Sequence, residues 1–384
     1  MGEQSLVTLG VIGLGNIASQ HIDNIQSNLV ANCQVTAICS RNGHALAGTL
    51  GVPHFKDYRA LIDSGCCNAV LVATPTYSHA EIGAYALRAG MHLMMEKPIG
   101  LSLQEGEALL ALQQPGQVFA LMLNQRSDPL FIAMRDCIQN GRLGEITRCH
   151  WTMTNWFRPE VYFQVSDWRA TWRGEGGGLL VNQCIHNLDI FQWLCGMPER
   201  VRGFCRFGRY HNIEVEDEAT AYFEYANGAS GVFVGSTGEA PGLNRLDIVG
   251  DLGTLSFDGE RLLLTENTPG TREYNSNTRD MFGKPEQQQR DITPRRSVNQ
   301  HALVMSNFSA AIVAGEPLIA PASEGLNSLA LANSMLLSTW DDRSVELPLD
   351  SATYQARLQQ QLANSSLRTT ANIEANVDMS QSYR

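Results

Sequence analysis

The feature that most constrains this fold is a glycine-bearing turn between an apolar strand and a helix near the start of the chain. Val7–Ile12 is an apolar run, and Gly13-Leu14-Gly15-Asn16-Ile17-Ala18 follows it before a helical pattern over residues 17–29. In a G-x-G-x-x-A turn the first glycine permits a sharp bend, the second lets backbone approach a pyrophosphate, and the alanine allows close helix–strand packing. The helix N-terminus then faces the phosphates with its partial positive charge. The pattern predicts a dinucleotide-binding unit.

The rest of the first third repeats the same alternation. Apolar runs at residues 35–39, 69–73, 92–95 and 118–123 are separated by helical patterns at residues 45–50, 79–89 and 103–112. Strands alternating with helices form βαβ units around a parallel sheet. The sequence therefore predicts an N-terminal Rossmann domain over residues 1–126.

The pattern changes in the second part of the chain. Predicted strands at residues 145–154, 201–207, 219–225, 230–236, 245–249 and 253–257 are joined largely by short turns, which favours a mostly antiparallel sheet. Helices are predicted over residues 177–194, 298–314 and 323–339, and polar residues 266–296 are predicted to form a long surface loop. The predicted fold class is α/β, with a parallel Rossmann sheet and a C-terminal α+β domain over residues 127–350. Residues 351–384 form the predicted tail, which is expected to fray beyond residue 365.

Composition excludes several classes of partner. The net charge of −11 argues against nucleic acid and anionic membranes, and no apolar run approaches the length of a membrane span. The nine cysteines are scattered without a Cys-x-x-Cys pair, so we expect reduced thiols in a cytoplasmic protein, and no secretory leader is expected. No set of His, Asp and Cys has metal-ligand spacing, so no metal site is predicted.

The end of the second predicted strand bears on the choice of cofactor. Ser40-Arg41 stands where an NAD site usually places an acid on the ribose diol. A hydroxyl and a guanidinium suit a 2′-phosphate better, which favours NADP over NAD. If Arg41 instead stacks on the adenine, either cofactor would be accepted.

Two further segments carry chemistry. Glu96-Lys97-Pro98 closes the fourth predicted strand, and strand ends in such a sheet line the ligand crevice, so Lys97 can reach a nicotinamide ribose and a substrate oxygen. A glycine-rich turn over residues 174–178 precedes Asn182, His186 and Asp189, whose spacings of four and three predict one helical face. A histidine in that setting is typical of a positioned acid/base.

Together with Ala73-Thr74-Pro75 and Ser78-His79, these motifs resemble the Gfo/Idh/MocA family of oxidoreductases over residues from about 6 to 345. The resemblance implies an NAD(P)-dependent hydride transfer between nicotinamide and a hydroxyl or keto carbon of a sugar, cyclitol or sugar derivative. It also implies that the second domain has a large open sheet whose outer face pairs copies into a homodimer or homotetramer.

The resemblance also assigns roles. Lys97 matches the lysine that binds substrate and nicotinamide ribose, and His186 matches the acid/base. Asn182 stands where many relatives have aspartate; an amide can orient a sugar hydroxyl but carries no proton. The expected cofactor-binding residues are Gly13, Gly15, Asn16, Ile17, Ser40, Arg41, Thr74, Pro75, His79, Glu96 and Lys97. The expected substrate-binding residues are Asn182, Asp189, Arg126, Arg158, Tyr162 and Arg169.

Other residues remain open between a site role and a structural one. Aromatic faces stack on sugars and arginines donate to hydroxyls, so an aromatic and arginine-rich stretch before the glycine turn is a further pocket candidate. Additional candidates of this kind are Asn124, Gln125, Trp156, Trp168, Trp172 and Arg173. The tryptophans could equally form domain-interface core, Asp189 could be a cap or ion-pair partner, and His79 could belong to a helix start.

Two other functions fit the same motifs. One is a redox-type glycosidase with tightly held NAD, which would oxidise C3 transiently, eliminate the aglycone and produce no net NADH. The other is a non-catalytic regulator that senses cofactor or sugar, and loss of the lysine or histidine would favour it. Both residues are present here.

Overall fold

The structure, a computed structural model, describes residues 6–41 and 46–368 of the chain. Its first sheet has six parallel strands in the order β3-β2-β1-β4-β5-β6. These strands are β1 (Val7–Ile12), β2 (Cys33–Cys39), β3 (His54–Phe55), β4 (Ala69–Val72), β5 (His92–Met95) and β6 (Phe119–Leu121). The central strands are buried along nearly their whole length, as parallel strands covered on both faces must be. The predicted Rossmann domain is confirmed.

Helices connect and cover these strands. They are α1 (Asn16–Gln26), α2 (Leu46–Leu50), α3 (Tyr58–Asp63), α4 (His79–Arg88) and α5 (Leu103–Leu110), with 3₁₀ turns at Thr76–Ser78 and Asn124–Ser127. Asp57 begins α3 and Ser102 begins α5, each accepting a hydrogen bond from a backbone N–H in the first helical turn. The sequence patterns missed β3 and α3, which are short and carry little apolar periodicity.

The second sheet has nine strands in the order β14-β13-β12-β11-β7-β10-β9-β8-β15. Its strands are β7 (Ile146–Met153), β8 (Arg200–Phe207), β9 (Glu216–Glu224), β10 (Ser230–Ser236), β11 (Asn244–Gly250), β12 (Gly253–Phe257), β13 (Leu262–Thr268), β14 (Glu286–Asp291) and β15 (Val345–Glu346). All neighbours are antiparallel except β7 and β10. This confirms the mostly antiparallel sheet.

The remaining helices lie in the second part of the chain. They are α6 (Pro129–Gln139), α7 (Glu160–Gln164), α8 (Trp172–Glu175), α9 (Ile185–Cys195), α10 (Thr271–Asn277), α11 (Gln300–Ala314), α12 (Ala322–Asp341) and α13 (Ser351–Asn364). The backbone of α12 lies so close to β8 that a Cβ on Gly203 would come within 2.4 Å of the Met335 carbonyl oxygen. On the opposite face Phe204 and Tyr222 remain exposed. Helix α11 instead buries Val304 and Phe308 in the core of the Rossmann domain.

Three predicted elements are corrected. Residues 266–296 are not a long loop, because they contain the end of β13, α10 and the edge strand β14. The helix predicted over 177–194 begins only at Ile185, and residues 179–184 form turns. The predicted tail begins with α13, which buries Tyr354 and Leu358, whereas the fraying expected beyond residue 365 falls largely on residues 369–384, outside the described part.

Within residues 6–41 and 46–368, no helix is long and apolar enough to cross a membrane, and no group of three or more His, Cys, Asp or Glu could hold a metal ion. All nine cysteines lie within those ranges, and each is a free thiol. The cysteine prediction therefore agrees with the structure as far as pairing is concerned.

Candidate active site

A cleft of about 1740 Å³ runs from the glycine turn after β1, across the carboxyl ends of the parallel strands, to the segment before α9. A ligand crevice is expected at that edge of a doubly wound sheet. The structure brings most of the predicted site residues to this one cleft. They are Gly13, Gly15, Asn16, Ile17, Ser40, Arg41, Thr74, Pro75, Glu96, Lys97, Arg158, Tyr162, Arg169, Asn182 and His186.

The glycine turn at the start of α1 fits a phosphate-bearing cofactor. Gly13 has φ +89°, and a Cβ there would lie 2.7 Å from the Ala73 carbonyl oxygen, so only glycine is tolerated. Gly15 caps α1 without any side-chain hydrogen bond, and a Cβ there would meet nothing within 4 Å. The first N–H groups of α1 therefore open onto free space, the arrangement that binds a pyrophosphate.

The far end of the cleft, beyond β2, carries several charges. Ser40 Oγ lies 2.9 Å from His54 Nε2, and the exposed Arg41 and Lys56 line the same end. Arg59 is paired with Glu81 at 2.6 Å. Asp57, 3.7 Å from Arg59, also lines this end, which therefore presents a hydroxyl and the cations Arg41 and Lys56 beside two carboxylates that face Arg59.

His79 lies beneath the cleft instead of lining it. Its side chain is buried, and its two ring nitrogens lie 2.8 Å from the carbonyl oxygens of Pro98 and Thr74. Burial lowers the pKa of the ring. The predicted cofactor contact is corrected: His79 ties together the two loops that carry Thr74 and Lys97.

Lys97 follows β5 and is held by its neighbours. Its Nζ donates to the backbone carbonyl oxygen of Asn182 at 2.8 Å. Burial lowers the pKa of Lys97, and the carboxylates of Glu96 and Glu175 oppose that shift. Burial would raise the pKa of Glu96, but the His21 ring 2.6 Å away, together with His301 and Lys97, outweighs burial and holds the Glu96 pKa at about 2. Glu96 is therefore a fixed negative charge behind the lysine.

His186 stands in the first turn of α9. Burial, reinforced by the positive charge of Lys97, holds its pKa well below the ordinary value of 6.5. Its Nδ1 is buried and has no partner among the described protein atoms. The ring is therefore neutral near pH 7, and a neutral imidazole can accept a proton from a substrate hydroxyl.

Asn182 is not on the helix that carries His186, which corrects the predicted helical face. The buried carboxylate of Glu216 accepts hydrogen bonds from the N–H groups of Gly178 and Leu180 at 2.9 Å, so these groups do not enter a helix. The amide Nδ2 of Asn182 instead donates to Glu175 Oε1. Burial raises the pKa of Glu175, and it raises the pKa of Glu216 to about 7.

Asp189 and Arg126 turn away from the cleft and bind each other. Arg126 Nε and Nη2 donate to the two carboxylate oxygens of Asp189 at 2.7 and 2.6 Å, and both side chains are at most 1% exposed. Arg126 also contacts Glu324 on α12. The expected substrate-binding role of this pair is corrected, because the pair fastens the strand-end turn of the Rossmann domain to α9.

The aromatic and arginine-rich stretch divides between cleft and core. Arg169 Nη1 donates to Tyr162 Oη at 2.6 Å, and its guanidinium lies 4.6 Å from the centre of that ring. Trp156, Trp168 and Arg158 also line the cleft. Two members do not: Trp172 is buried 5.4 Å from Trp340, and Arg173 binds the carbonyl oxygens of Ser365 and Leu362.

Profiles built on known families match both parts of the chain. Residues 7–123 match the profile described as an oxidoreductase family with an NAD-binding Rossmann fold, and residues 131–256 match the GFO/IDH/MocA C-terminal domain. This chain belongs to the Gfo/Idh/MocA oxidoreductase family. The motif-based resemblance is confirmed, and with it the NAD-binding character of the first domain.

Two named relatives and one solved structure are similar to this chain. An inositol 2-dehydrogenase of Rhizobium meliloti is 25% identical over 89% of this chain and 99% of its own length. A levoglucosan dehydrogenase of Pseudarthrobacter phenanthrenivorans is 29% identical over 54% of this chain and 59% of its own length. The WlbA dehydrogenase of Chromobacterium violaceum, solved with NADH and UDP-GlcNAcA, superposes with a TM-score of 0.78 at 22% identity, covering 91% of this chain and 98% of that chain. At that identity the structural likeness shows the fold.

Sequence reasoning missed several polar residues of the Gfo/Idh/MocA cleft, among them Lys56, Asn155, Glu175, Gln183 and His301. Glu175 and Gln183 line it and lie within the glycine-rich segment already singled out, so their polar character there was a usable signal. His301, from α11, also lines it, packed 5.5 Å from the ring of His21. Burial, followed by His21, lowers the pKa of His301 to about 4. No local pattern places a residue of α11 beside the strand ends of the first domain.

Proposed function

We propose that this Gfo/Idh/MocA protein catalyses NAD(P)-dependent hydride transfer at a CH–OH carbon of a sugar, cyclitol or sugar derivative. The observation that carries the proposal is the arrangement of Lys97 and a neutral His186 in the same cleft as the open glycine turn. The N–H groups at Gly15 and Asn16 would hold the phosphates of a dinucleotide, and the cleft leads from that turn along the strand ends to Lys97. When bound, its nicotinamide supplies the hydride chemistry.

The protein groups then supply proton transfer and charge stabilisation. The neutral ring of His186 accepts the proton of the substrate hydroxyl, and its low pKa keeps it ready to do so at neutral pH. The ammonium of Lys97, fixed by the Asn182 carbonyl and backed by Glu96, stabilises the oxygen as negative charge develops on it. In the reverse direction His186 returns the proton to a keto carbon's oxygen. Asn182 contributes through its backbone carbonyl, which holds Lys97. Its side-chain amide nitrogen is already hydrogen-bonded to Glu175.

The wall of the cleft supports a carbohydrate substrate. Tyr162, Arg158 and Arg169 place an aromatic ring and two guanidinium groups on one side. Aromatic faces pack against the C–H surface of a sugar ring, and guanidinium groups donate to hydroxyls. The named relatives act on inositol and levoglucosan, which are polyhydroxylated rings of this kind.

We further propose that the cofactor is NADP(H) in preference to NAD(H). Arg41 and Lys56 line the cleft beside the Ser40 hydroxyl, and Arg59 is already paired with Glu81. Two exposed cations and a hydroxyl complement a 2′-phosphate. Titration of protein fluorescence with NADPH and NADH tests this. A preference for NADPH that Arg41→Ala and Lys56→Ala each reduce supports it, and a preference for NADH contradicts it.

A panel of sugars, cyclitols and their keto forms, followed at the nicotinamide absorbance band, tests the reaction. Cofactor reduction by at least one hydroxyl compound, lost in His186→Ala, is the expected result. Tightly retained cofactor with release of an aglycone and no net NADH would instead establish the glycosidase reaction. Cofactor binding without turnover of any compound would favour the sensor function.

The homodimer or homotetramer expected from the resemblance remains a prediction. The open face of the second sheet, with Phe204 and Tyr222 exposed, is the surface that supports it. Light scattering on the purified protein, with Phe204→Arg as the variant, measures whether that face holds copies together.

A further inference from the structure

A second cavity of about 550 Å³, here called the side pocket, adjoins the active-site cleft. It lies between the end of β7, the N-terminal end of α11 and the 3₁₀ turn at Asn124–Ser127. Five residues line both spaces, so the two cavities adjoin along a shared wall. They are Asn124, Gln125, Asn155, Trp156 and His301. The volume falls in the usual range for a small-molecule site.

A chain of hydrogen bonds fixes the orientation of one amide at this junction. The carboxylate of Asp128 accepts from Arg296 Nη2 at 2.6 Å and from Gln300 Nε2 at 2.9 Å. A carboxylate cannot donate, so the amide nitrogen of Gln300 must face Asp128 and its Oε1 must accept from Asn124 Nδ2, at 2.8 Å. Asn124 Oδ1 is thereby left as the free acceptor, and the residue is only 4% exposed.

Three more amide oxygens around the side pocket are buried and have no partner among the described protein atoms: Gln20 Oε1, Gln125 Oε1 and Asn155 Oδ1. Leaving a buried acceptor unsatisfied destabilises a fold, so four at one cavity call for donors from outside the chain. Between them stands Trp156, whose indole Nε1 donates to Asn187 Oδ1 at 3.2 Å and so holds the ring in place. Several acceptors beside a fixed aromatic ring complement a ligand rich in hydroxyl groups.

We infer that the side pocket binds a second hydroxyl-bearing ring of the substrate, so that the substrate is a disaccharide or glycoside. The inference rests on the proposed function for the first ring, which lies at Lys97 and His186. The second ring extends past Trp156 and donates its hydroxyls to the four amide oxygens.

Ser297 provides a variant that fills the side pocket. It is exposed, lines the side pocket and does not line the cleft. Ser297→Trp places a bulky ring there, and Ser297→Ala is the matched control at the same position. Thermal unfolding of both variants establishes that they fold like the parent protein.

Calorimetric titration of the NADPH- or NADH-loaded protein compares D-glucose with maltose, cellobiose, trehalose and sucrose. We expect at least one disaccharide to bind tenfold or more tightly than glucose. Ser297→Trp should abolish that advantage while changing glucose affinity less than twofold, and Ser297→Ala should retain it. Equal affinity for glucose and every disaccharide would overturn the inference and leave the pocket to water. A disaccharide advantage that survives Ser297→Trp would overturn it as well.

Turnover measured on the same sugars separates this inference from the proposed function. Oxidation of glucose with no disaccharide bound more tightly removes the side-pocket inference alone. A disaccharide that binds through the side pocket without any oxidation removes the proposed reaction alone. Binding of no sugar at all overturns both.

Discussion

Removing Arg126 tests whether the buried pair with Asp189 is structural. Two hydrogen bonds of 2.7 and 2.6 Å join a guanidinium with no exposed side-chain surface to a carboxylate that is 1% exposed. Arg126→Met leaves Asp189 with Gln192 Nε2, at 3.1 Å, as its remaining side-chain donor. Burial already raises the pKa of Asp189, and Arg126 opposes that rise together with the hydrogen bond from Gln192.

Breaking a buried ion pair by removing one partner costs about 3–5 kcal/mol of unfolding free energy. An unfolding entropy of about 2.1 cal/mol/K per residue gives about 0.8 kcal/mol/K for a chain of this length, so Tm should fall by about 4–6 °C. Differential scanning calorimetry, supported by urea unfolding, measures the change. Arg126→Lys keeps the charge but loses the two-pronged contact, and should fall between the parent and Arg126→Met.

The double variant Arg126→Met/Asp189→Leu completes the test. Replacing both charges with apolar side chains leaves no buried charge behind, so it should recover most of the stability lost in Arg126→Met. A loss below about 1 kcal/mol in the single variant, or a double variant less stable than the single, would show that the Arg126–Asp189 pair does not stabilise the fold. A raised sugar KM with unchanged Tm would restore the substrate-binding role predicted from sequence.

Three further outcomes are expected. Asn182→Asp places a second carboxylate beside buried Glu175, so one of the two acids should bind a proton near neutral pH. We expect kcat to fall tenfold or more, measured across a pH series with Asn182→Ser as the control. Gly13→Ala should weaken cofactor binding at least tenfold in a fluorescence titration, because its Cβ would lie 2.7 Å from a carbonyl oxygen at φ +89°; an unchanged Kd would contradict this. The rate of substrate oxidation should be independent of pH near neutrality and decline only below pH 6.5, because the reaction needs neutral His186 and burial lowers the pKa of that ring. A decline centred above pH 6.5 would contradict this.

The first sheet was predictable because its signals are local. Each buried parallel strand is a short apolar run, and turn chemistry at Gly13 marks the first βα unit. The edge strand β14 offers no such signal: every one of its residues is exposed, so its sequence reads as a polar loop. The helix start before His186 was misplaced because a carboxylate from residue 216 captures two N–H groups from the segment, a long-range contact that helical spacing does not report.

The candidate site also contains residues that local sequence patterns indicate and residues that only long-range contacts place. Lys97 and His186 were found because a strand end and a glycine-rich turn are readable motifs, and both line the cleft. Asp189 has the spacing of a site residue, but its partner Arg126 is 63 positions away and draws it into the domain junction. His79 also follows a motif of the site in the sequence, but its side chain is buried beneath the two loops that it joins. His301 reaches the cleft only because α11 returns to the first domain.

We propose above that His186 takes the substrate proton as hydride moves. The most direct test of this claim is the single-turnover rate of cofactor reduction with the best sugar found, compared between the parent protein and His186→Ala. General acid–base catalysis contributes about 10²–10⁴-fold, so we expect the rate of His186→Ala to be lower by that factor, with the cofactor Kd changed less than twofold. A His186→Ala protein that reduces cofactor within threefold of the parent rate would contradict the claim.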